Sequence, residues 1–325
     1  VILQMAALDL GDIESFPFLD PPDSRSIRDG LALLEEVGAL QTGTGTARRR
    51  LTKLGRRMSR IPHDIRLARI VLEADRNLCL TDNEVIAAAL SIQDPRERPL
   101  EKETQADQKH ARFIDERSDF RSWLHLWDYL RTERRARTSN QFRRLCRDEF
   151  LSYRRVREWQ DIHSQLREIS NELGLHRNRK KADADTIHRS LLAGLLSHVG
   201  KKSPDGYEYR GARGARFYLS PGSTLFKQAP EWVMAAELVE TTRLWARSVV
   251  AIPPEWVEEA GKHLIKRSHS EPWWDAKRGS AVARESVSLY GIPLQTDRVV
   301  QYGRFDQATS CLLYTSPSPR DFSCN

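Results

Sequence analysis

The hydrophobic pattern of the chain changes its period near residue 186, and this change limits the possible folds more than any other feature. Between residues 76 and 173 apolar side chains recur at the spacing of amphipathic helices. After residue 186 they form short runs separated by glycine and proline, which is typical of strands joined by tight turns. A chain of 325 residues is also long for one domain. The sequence therefore predicts a multidomain α+β protein.

The first module combines a helix, two strands and a second helix. The first helix follows the prolines of DPPDSRSIRDGLALLEEVGAL, a turn with Gly43 and Gly45 separates the strands, and helical spacing resumes after Pro62. This order is that of a winged helix with the glycines at the tip of its wing, although any small α+β domain fits it. The predicted boundaries are 1–10, 11–75, 76–173, 174–185 for an exposed linker, 186–269, 270–309 and 310–325 for a tail of different composition.

The second module, from residue 76 to 173, is predicted to be a helical bundle. Thr81 with Glu84 three residues later has the spacing of a capping box at a helix start. Trp123 and Trp127 share the helix face that carries leucines, so we expect both indoles to pack in a core.

The third module, residues 186–269, is predicted to be a small barrel. Its strand-like pieces are SHVGKK, YEYR, ARFYLS, WVMAAELVET and RLWARSVVAI, and a helix follows at the prolines of PPEWVEEAG. Five strands with an added helix are compatible with the oligonucleotide-binding (OB) fold. The segment GARGAR within this module is either a hairpin turn or an arginine–glycine contact to RNA.

The stretch FRRLCRDEFLSYRRVREW concentrates the positive charge of the chain. Residues 131–160 contain ten arginines against four acids, while the whole chain carries a net charge of +7. Helical periodicity predicts one helix over 142–159 with apolar residues on one side and arginines on the other. The candidate phosphate-binding residues on that second side are Arg143, Arg144, Arg147, Arg154 and Arg155. Their guanidinium groups either bind phosphates bidentately or are solvated and neutralised by Asp148, Glu149 and Glu158.

No catalytic or metal-binding pattern is recognisable. GLLSHVGKKS has five residues between its glycines and no serine or threonine after its first lysine, so it is not a phosphate-binding loop. Zinc-ligand spacings and the nucleophile motif G-x-S-x-G are missing from the sequence. The four cysteines form no C-x-x-C pair, and no apolar run has the length of a membrane span. These features predict a reducing, cytoplasmic compartment without membrane contact.

Several segments resemble DEAH-box RNA helicases. FPFLDPP, LEEVGAL and LTKLGRRMSRIPHDIRLARIVLEA look like the winged helix that follows the motor domains in that family. AAALSIQDPRERPLEKETQADQKHARF resembles its helical ratchet-like domain, and PEWVMAAELVETTRLWARSVVAIPPEWVEEAG resembles its OB-type domain. NQFRRLCRDEFLSYRRVREWQDIHSQL and SEPWWDAKRGSAVARESVSLYGIPL are similar to the bacterial HrpA-type subgroup. The likeness runs from residue 1 to about 309, so residues 310–325 are expected to be foreign sequence.

The resemblance implies the C-terminal part of an ATP-dependent helicase that moves 3′ to 5′ along single-stranded RNA, in a subgroup linked to ribosome transactions. ATP and Mg²⁺ would bind motor domains that precede Val1, so this fragment alone is expected to bind no cofactor and to lack activity. Its partners would be single-stranded RNA and its own motor domains, and it would be a monomer. The arginines of the basic helix would grip RNA from one side of a channel. The residues expected to grip it from the other are Lys201, Lys202, Arg210 and Arg213.

Two other functional classes remain open at this point. A winged-helix regulator would bind duplex DNA through a basic recognition helix, but the first predicted helix offers only Arg25 and Arg28 among several acids. A protein-interaction scaffold would use exposed aromatic residues such as Trp273 and Trp274.

Overall fold

Helices dominate the chain up to Leu192, and strands dominate after it. The computed structural model describes residues 1–41, 50–307 and 310. The helices are α1 (Ile2–Ala7), α2 (Ser24–Glu36), α3 (Lys53–Met58), α4 (Ile65–Arg76), α5 (Leu80–Leu90), α6 (Glu103–His110), α7 (Asp119–Ala136), α8 (Ser139–Asp148), α9 (Tyr153–Glu172), α10 (Ala184–Leu192) and α11 (Pro254–Ala260). The strands are β1 (Leu40–Gln41), β2 (Arg50–Leu51), β3 (Val199–Lys202), β4 (Glu208–Gly211), β5 (Arg216–Leu219), β6 (Trp232–Glu240), β7 (Leu244–Ala251), β8 (Lys266–His269), β9 (Trp273–Asp275), β10 (Ser280–Leu289) and β11 (Ile292–Gln301).

The first module has the predicted order of helix, two strands and helix. The side chain of Asp23 caps α2 by accepting hydrogen bonds from the backbone N–H groups of Arg25 and Ser26. Strands β1 and β2 pair antiparallel, with Leu40 opposite Leu51. The expected wing tip at residues 43–45 lies outside the described residues.

One hydrophobic core runs through the first module and the helical module. Ile70 of α4, Ile86 of α5, and Phe120 and Trp123 of α7 belong to the same buried cluster, so the predicted boundary at residue 75 is not a gap in packing. The burial of Trp123 confirms its expected structural role. Among the described residues, no helix has both the length and the apolar character needed to cross a bilayer.

The predicted capping box at Thr81 is wrong. Helix α5 begins one residue earlier, at Leu80, and Cys79 occupies its N-cap without a side-chain hydrogen bond. The backbone N–H of Thr81 donates to Asn178 Oδ1 at 2.8 Å, and Glu84 pairs with Arg177 instead of the helix end. A distant segment therefore replaces the local cap.

That distant segment is the predicted linker, and it is attached to the helices over part of its length. Arg177 donates through Nε and Nη2 to the two carboxylate oxygens of Glu84, at 3.0 and 3.1 Å. Asn178 also binds Asp82 through its amide nitrogen at 3.1 Å. Arg179 and Lys180 remain exposed, as expected for the whole stretch.

The single helix predicted over residues 142–159 is two helices, α8 and α9. Phe150 has a left-handed backbone with a φ of 54°, which ends α8. The carbonyl of Phe150 accepts a hydrogen bond from the backbone N–H of Glu97 at 2.8 Å, and the N–H of Ser152 donates to the carbonyl of Pro95 at 2.8 Å. The break therefore depends on backbone pairing with a segment about fifty residues earlier, which helical periodicity does not reveal.

The predicted barrel is confirmed as a closed five-stranded sheet. Its strands follow the order β3-β4-β5-β7-β6, with β6 returning to β3, and the pair β5 and β7 is parallel. Tyr209, Phe217, Val233 and Val249 form its separate hydrophobic core. Helix α11 follows the last strand and begins with Pro254, as its sequence predicts.

The barrel is fixed to the start of α7. Ser118 forms an isolated antiparallel bridge with Val250. The carboxylate of Asp119 accepts hydrogen bonds from the backbone N–H groups of Thr224 and Val249, at 3.0 and 2.8 Å. Because one side chain holds both a barrel loop, at Thr224, and strand β7, at Val249, the barrel has a defined orientation relative to the helices.

His188 at this junction predicts a loss of stability in acid. Its Nε2 lies 2.8 Å from Ser118 Oγ, and burial lowers its pKa from 6.5 to about 4. The unfolded chain takes up this proton below about pH 6.5, but the folded chain does so only near pH 4, so stability decreases as the pH falls through that interval. Urea unfolding should show that His188→Gln removes on the order of 3 kcal/mol of this loss between about pH 7 and 4. His125→Gln, at an exposed histidine, should keep the wild-type pH profile; equal profiles for both variants would contradict the assignment.

A second sheet follows the barrel and reaches back to the first module. Strand β10 pairs antiparallel with β8, β9 and β11, so β8 belongs to this sheet and not to the barrel region predicted to end at residue 269. Except for Ser310, the predicted tail lies outside the described residues.

A buried carboxylate connects the first module with both later parts of the chain. One Glu36 oxygen accepts a hydrogen bond from the backbone N–H of Ser197 at 3.0 Å, and the other lies 3.5 Å from the hydroxyl of Tyr290. The Glu36 carbonyl lies 2.9 Å from His263 Nε2. We call these four residues the Glu36 junction.

Candidate nucleic-acid interface

A cleft of about 1030 Å³ lies beside the break between α8 and α9. Three of the predicted arginines line it, and we call it the arginine cleft. Its full lining is Glu97, Pro99, Leu100, Glu101, Lys102, Asn140, Arg143, Arg144, Arg147, Phe150, Leu151, Ser152 and Tyr153. Four cations thus face two acids within this cleft.

Local structure explains why α8 presents its arginines to solvent. A capping box between Thr138 and Gln141 starts the helix. Phe142 and Cys146, one turn apart, are fully buried, and burial raises the pKa of the Cys146 thiol to about 11. The arginines occupy the opposite side of the helix and are exposed.

The three cleft arginines have few competing partners. Within the described part of the chain, no carboxylate forms an ion pair with Arg143 or Arg144, and the Arg143 guanidinium lies 5.8 Å from the ring centre of Tyr153. Arg147 has a loose contact of 3.8 Å with Asp148, and both side chains are exposed. Exposed pairs of this kind contribute little. The guanidinium groups are therefore available to an anion.

Of the three acids expected to neutralise the basic row, one is engaged elsewhere, one is exposed on α9 and one contacts an arginine of the cleft. Glu149 is buried and pairs with Arg112, and Lys109 Nζ lies 3.6 Å from its other oxygen. Glu158 is exposed on α9. Of these three acids, only Asp148 contacts an arginine of the cleft. The alternative that the helix neutralises its own arginines therefore has little support.

The other two predicted arginines lie outside the arginine cleft. Arg154 is exposed on the first turn of α9. Arg155 is half-buried, and its Nη1 donates to the carbonyl of Asp94 at 2.9 Å. The break at Phe150 separates these residues from Arg143, Arg144 and Arg147, so the structure does not bring all five together.

The predicted barrel cations lie on the neighbouring strands β3 and β4, where Lys201 is opposite Arg210, and in the turn that follows β4. Lys201 lies 3.6 Å from Glu231, and Lys202 lies 5.5 Å from the ring centre of Tyr207. Arg210 is exposed on β4. Arg213 occupies the GARGAR turn with a φ of 57°, and its guanidinium lies 5.4 Å from the Tyr290 ring, so the turn interpretation of this segment is confirmed. None of these four cations lines the arginine cleft.

The barrel carries an aromatic cleft of about 670 Å³ that the sequence analysis missed. We call it the barrel cleft. Its lining residues are Tyr207, Tyr209, Tyr218, Leu219, Phe226, Lys227, Ala229, Arg243 and Trp245. Tyr207 and Phe226 are 69% and 41% exposed, although large aromatic side chains usually pack inside.

The position of the barrel cleft matches the ligand face of OB folds. It lies on the second and third barrel strands, between the loop that joins β3 to β4 and the loop that joins β6 to β7. The Arg243 guanidinium lies 5.0 Å from the Tyr218 ring, whose centre is 6.0 Å from that of Trp245. Aromatic faces beside cations are suited to bind the bases and phosphates of a single strand.

Other candidate chemistry receives no support from the described residues. The sequence GLLSHVGKKS was rejected above as a phosphate-binding loop, and its Gly200 has a packing role instead. A Cβ at Gly200 would lie 2.3 Å from the Phe217 ring, so this glycine allows close packing in the barrel. The described residues contain no group of three or more His, Cys, Asp or Glu side chains arranged to hold a metal ion.

Comparison with known proteins connects this geometry to a family. Residues 187–265 match the family described as oligonucleotide/oligosaccharide-binding (OB)-fold. Over 308 residues, or 95% of its length, the chain is 53% identical to the ATP-dependent RNA helicase HrpA of Escherichia coli (strain K12). It is 51% identical over 313 residues, again 95% of its length, to the HrpA homolog of Haemophilus influenzae, and 28% identical over 261 residues, or 80%, to the ATP-dependent RNA helicase DHX33 of Drosophila melanogaster.

These matches cover only part of each relative. The chain spans 24% of the length of either bacterial protein and 36% of the Drosophila protein. Its own length is nonetheless almost fully aligned at more than half identity to the E. coli protein. The chain therefore corresponds in sequence, over almost its whole length, to one part of the HrpA-type proteins, about a quarter of their length.

Proposed function

We propose that this chain is the accessory RNA-gripping part of an ATP-dependent 3′–5′ RNA helicase. The arginine cleft is the observation that carries the proposal, because it places three unpaired or loosely paired guanidinium groups beside aromatic rings in one open groove. Contacts to phosphate give affinity without reading sequence, as a protein that moves along RNA requires.

We assign ATP hydrolysis to motor domains outside this chain. The bacterial relatives are named as ATP-dependent helicases and are about four times as long as the matched part. ATP and Mg²⁺ would bind those motor domains, so the chain alone would hold RNA without unwinding it. Cytoplasmic location, a monomeric state and ribosome association remain predictions of the same proposal.

We assign the first module to the winged-helix type and the helical module to the ratchet-like type. The order α2, β1, β2, α3 and α4 supports the first assignment. The second rests on the arginine cleft within the helical module. The shared core of these modules supports a common rigid wall for the RNA path.

The barrel cleft would provide a second contact to the same strand. Its four partly or largely accessible rings and the cations Lys227 and Arg243 fit unpaired bases joined by phosphates. Lys202 lies at its rim beside Tyr207, so one of the four predicted barrel cations contributes there.

The proposal predicts salt-dependent binding of single-stranded RNA. The purified chain should bind a fluorescent oligouridine of about 12 nucleotides, and the logarithm of the association constant should fall with log[KCl]. Three phosphate contacts in the arginine cleft should contribute roughly −2 to this slope, and contacts in the barrel cleft should make it steeper. Fluorescence anisotropy between about 50 and 300 mM KCl measures this slope.

Two results would contradict the proposal. A flat salt dependence would exclude phosphate contacts as the source of affinity. A clear preference for duplex DNA would favour the alternative of a free-standing winged-helix regulator.

A further inference from the structure

Phe150 has an unusual backbone for its residue type. Its φ of 54° lies in the left-handed region, which asparagine and glycine adopt readily and bulky side chains rarely do. Its N–H donates to the carbonyl of Arg147 at 3.2 Å, and its carbonyl accepts from Glu97 N–H at 2.8 Å. One local and one tertiary hydrogen bond thus hold an aromatic residue in a conformation that it disfavours, and such outliers concentrate at functional sites.

The ring of Phe150 is not needed to fill the core. The next residue, Leu151, is buried in the main hydrophobic cluster, whereas Phe150 is half-buried and lines the arginine cleft. This placement differs from the sequence prediction, which put Phe150 on the apolar side of one continuous helix. The left-handed residue turns the chain so that the ring meets the same groove as Arg143 and Arg147.

The cleft therefore combines two kinds of contact. Arginines supply charge, and Phe150 with Tyr153 supplies aromatic surface next to them. Phosphates alone need no aromatic surface, whereas an unpaired nucleobase stacks on a ring and keeps its phosphates within reach of nearby cations. Bases in a duplex are already stacked on each other and do not offer a free face.

We propose, building on the proposed function, that Phe150 is a stacking platform for one unpaired nucleobase, while Arg143, Arg144 and Arg147 bind the adjoining phosphates. The site would take any base, since each has a π-face, and would select single-stranded over double-stranded RNA. It would be separate from the aromatic surface of the barrel cleft.

Two oligomers and three variants test this inference. The probes are oligouridine and an abasic oligomer with the same number of phosphates. Phe150→Asn removes the ring but tolerates the left-handed backbone, Phe150→Tyr keeps the ring, and Phe305→Asn removes another exposed ring as a matched control. Phe150→Asn should weaken oligouridine binding by about 5- to 100-fold and leave the abasic oligomer unchanged. Phe150→Tyr and Phe305→Asn should bind both probes as the wild type does.

Other results would overturn the inference that Phe150 stacks on a base. One further variant shows whether the proposed function fails with it. Equal weakening for both probes would mean that Phe150 only shapes the turn. Wild-type protein that binds both probes equally would also overturn the inference, and this measurement needs no variant to fold. Arg143→Glu distinguishes the proposed function from the further inference, because it should weaken the binding of both probes. If it does so while Phe150→Asn has no effect, phosphate binding by the arginine cleft stands and base stacking by Phe150 does not.

Discussion

Simultaneous replacement of Arg143, Arg144 and Arg147 by glutamate is expected to weaken single-stranded RNA binding by at least about 100-fold at low salt. Each reversal removes a charge-assisted contact and adds repulsion between carboxylate and phosphate. The salt slope should become shallower by roughly 2, because no counterions are released at this cleft any more, and the slope that remains would come from the barrel cleft. Anisotropy titrations with oligouridine over a range of KCl concentrations measure both quantities.

The matched control reverses the same number of charges elsewhere. Arg25 and Arg28 of α2 and Arg60 are exposed and lie outside the arginine cleft. Their triple glutamate variant has the same net charge as the cleft variant, so it should retain most of the affinity. Equal losses in the two variants would show that net charge, and not the cleft, governs binding.

Removal of the Arg177 guanidinium is expected to destabilise the fold by about 3–5 kcal/mol, since it leaves a buried carboxylate without its partner. The Glu84 side chain is only 1% exposed, and both of its oxygens accept from Arg177. Urea unfolding of Arg177→Met should show this loss. The double variant Glu84→Leu with Arg177→Met should recover most of it, because an apolar pair of similar volume has no charge to desolvate.

Arg179→Met is the control for this pair. Arg179 is exposed two residues further along the same segment, so its replacement should change the unfolding free energy by no more than about 0.5 kcal/mol. If Arg177→Met behaved like Arg179→Met, the segment would be a flexible linker, as its composition suggested, and not part of the helical module.

Local patterns predicted the positions of the barrel strands well because most of these short segments are separated by turns that contain glycine or proline. Helical periodicity also predicted the exposed side of α8. Phe142 and Cys146 occupy the buried side, so the arginines must occupy the other. The order of the barrel strands was not predicted, because local patterns do not record which strands pair, and the resemblance gave only the class of barrel.

Distant contacts account for what the sequence analysis missed. The turn at Phe150 is held by backbone pairing with Pro95 and Glu97, and the start of α5 is bound by Asn178. No periodicity within either segment records such partners. The barrel cleft collects its rings from separate loops and strands, so Tyr207, Phe226 and Trp245 look unrelated along the chain.

The Glu36 junction has a consequence for the order in which the protein matures during synthesis. Glu36 is translated before Ser197, His263 and Tyr290, which emerge from the ribosome much later. Until then the nascent first module carries a carboxylate that must stay hydrated. The Glu36 carboxylate can thus be fully buried only after synthesis has passed Tyr290. The first module therefore reaches its native environment later than its position in the chain suggests.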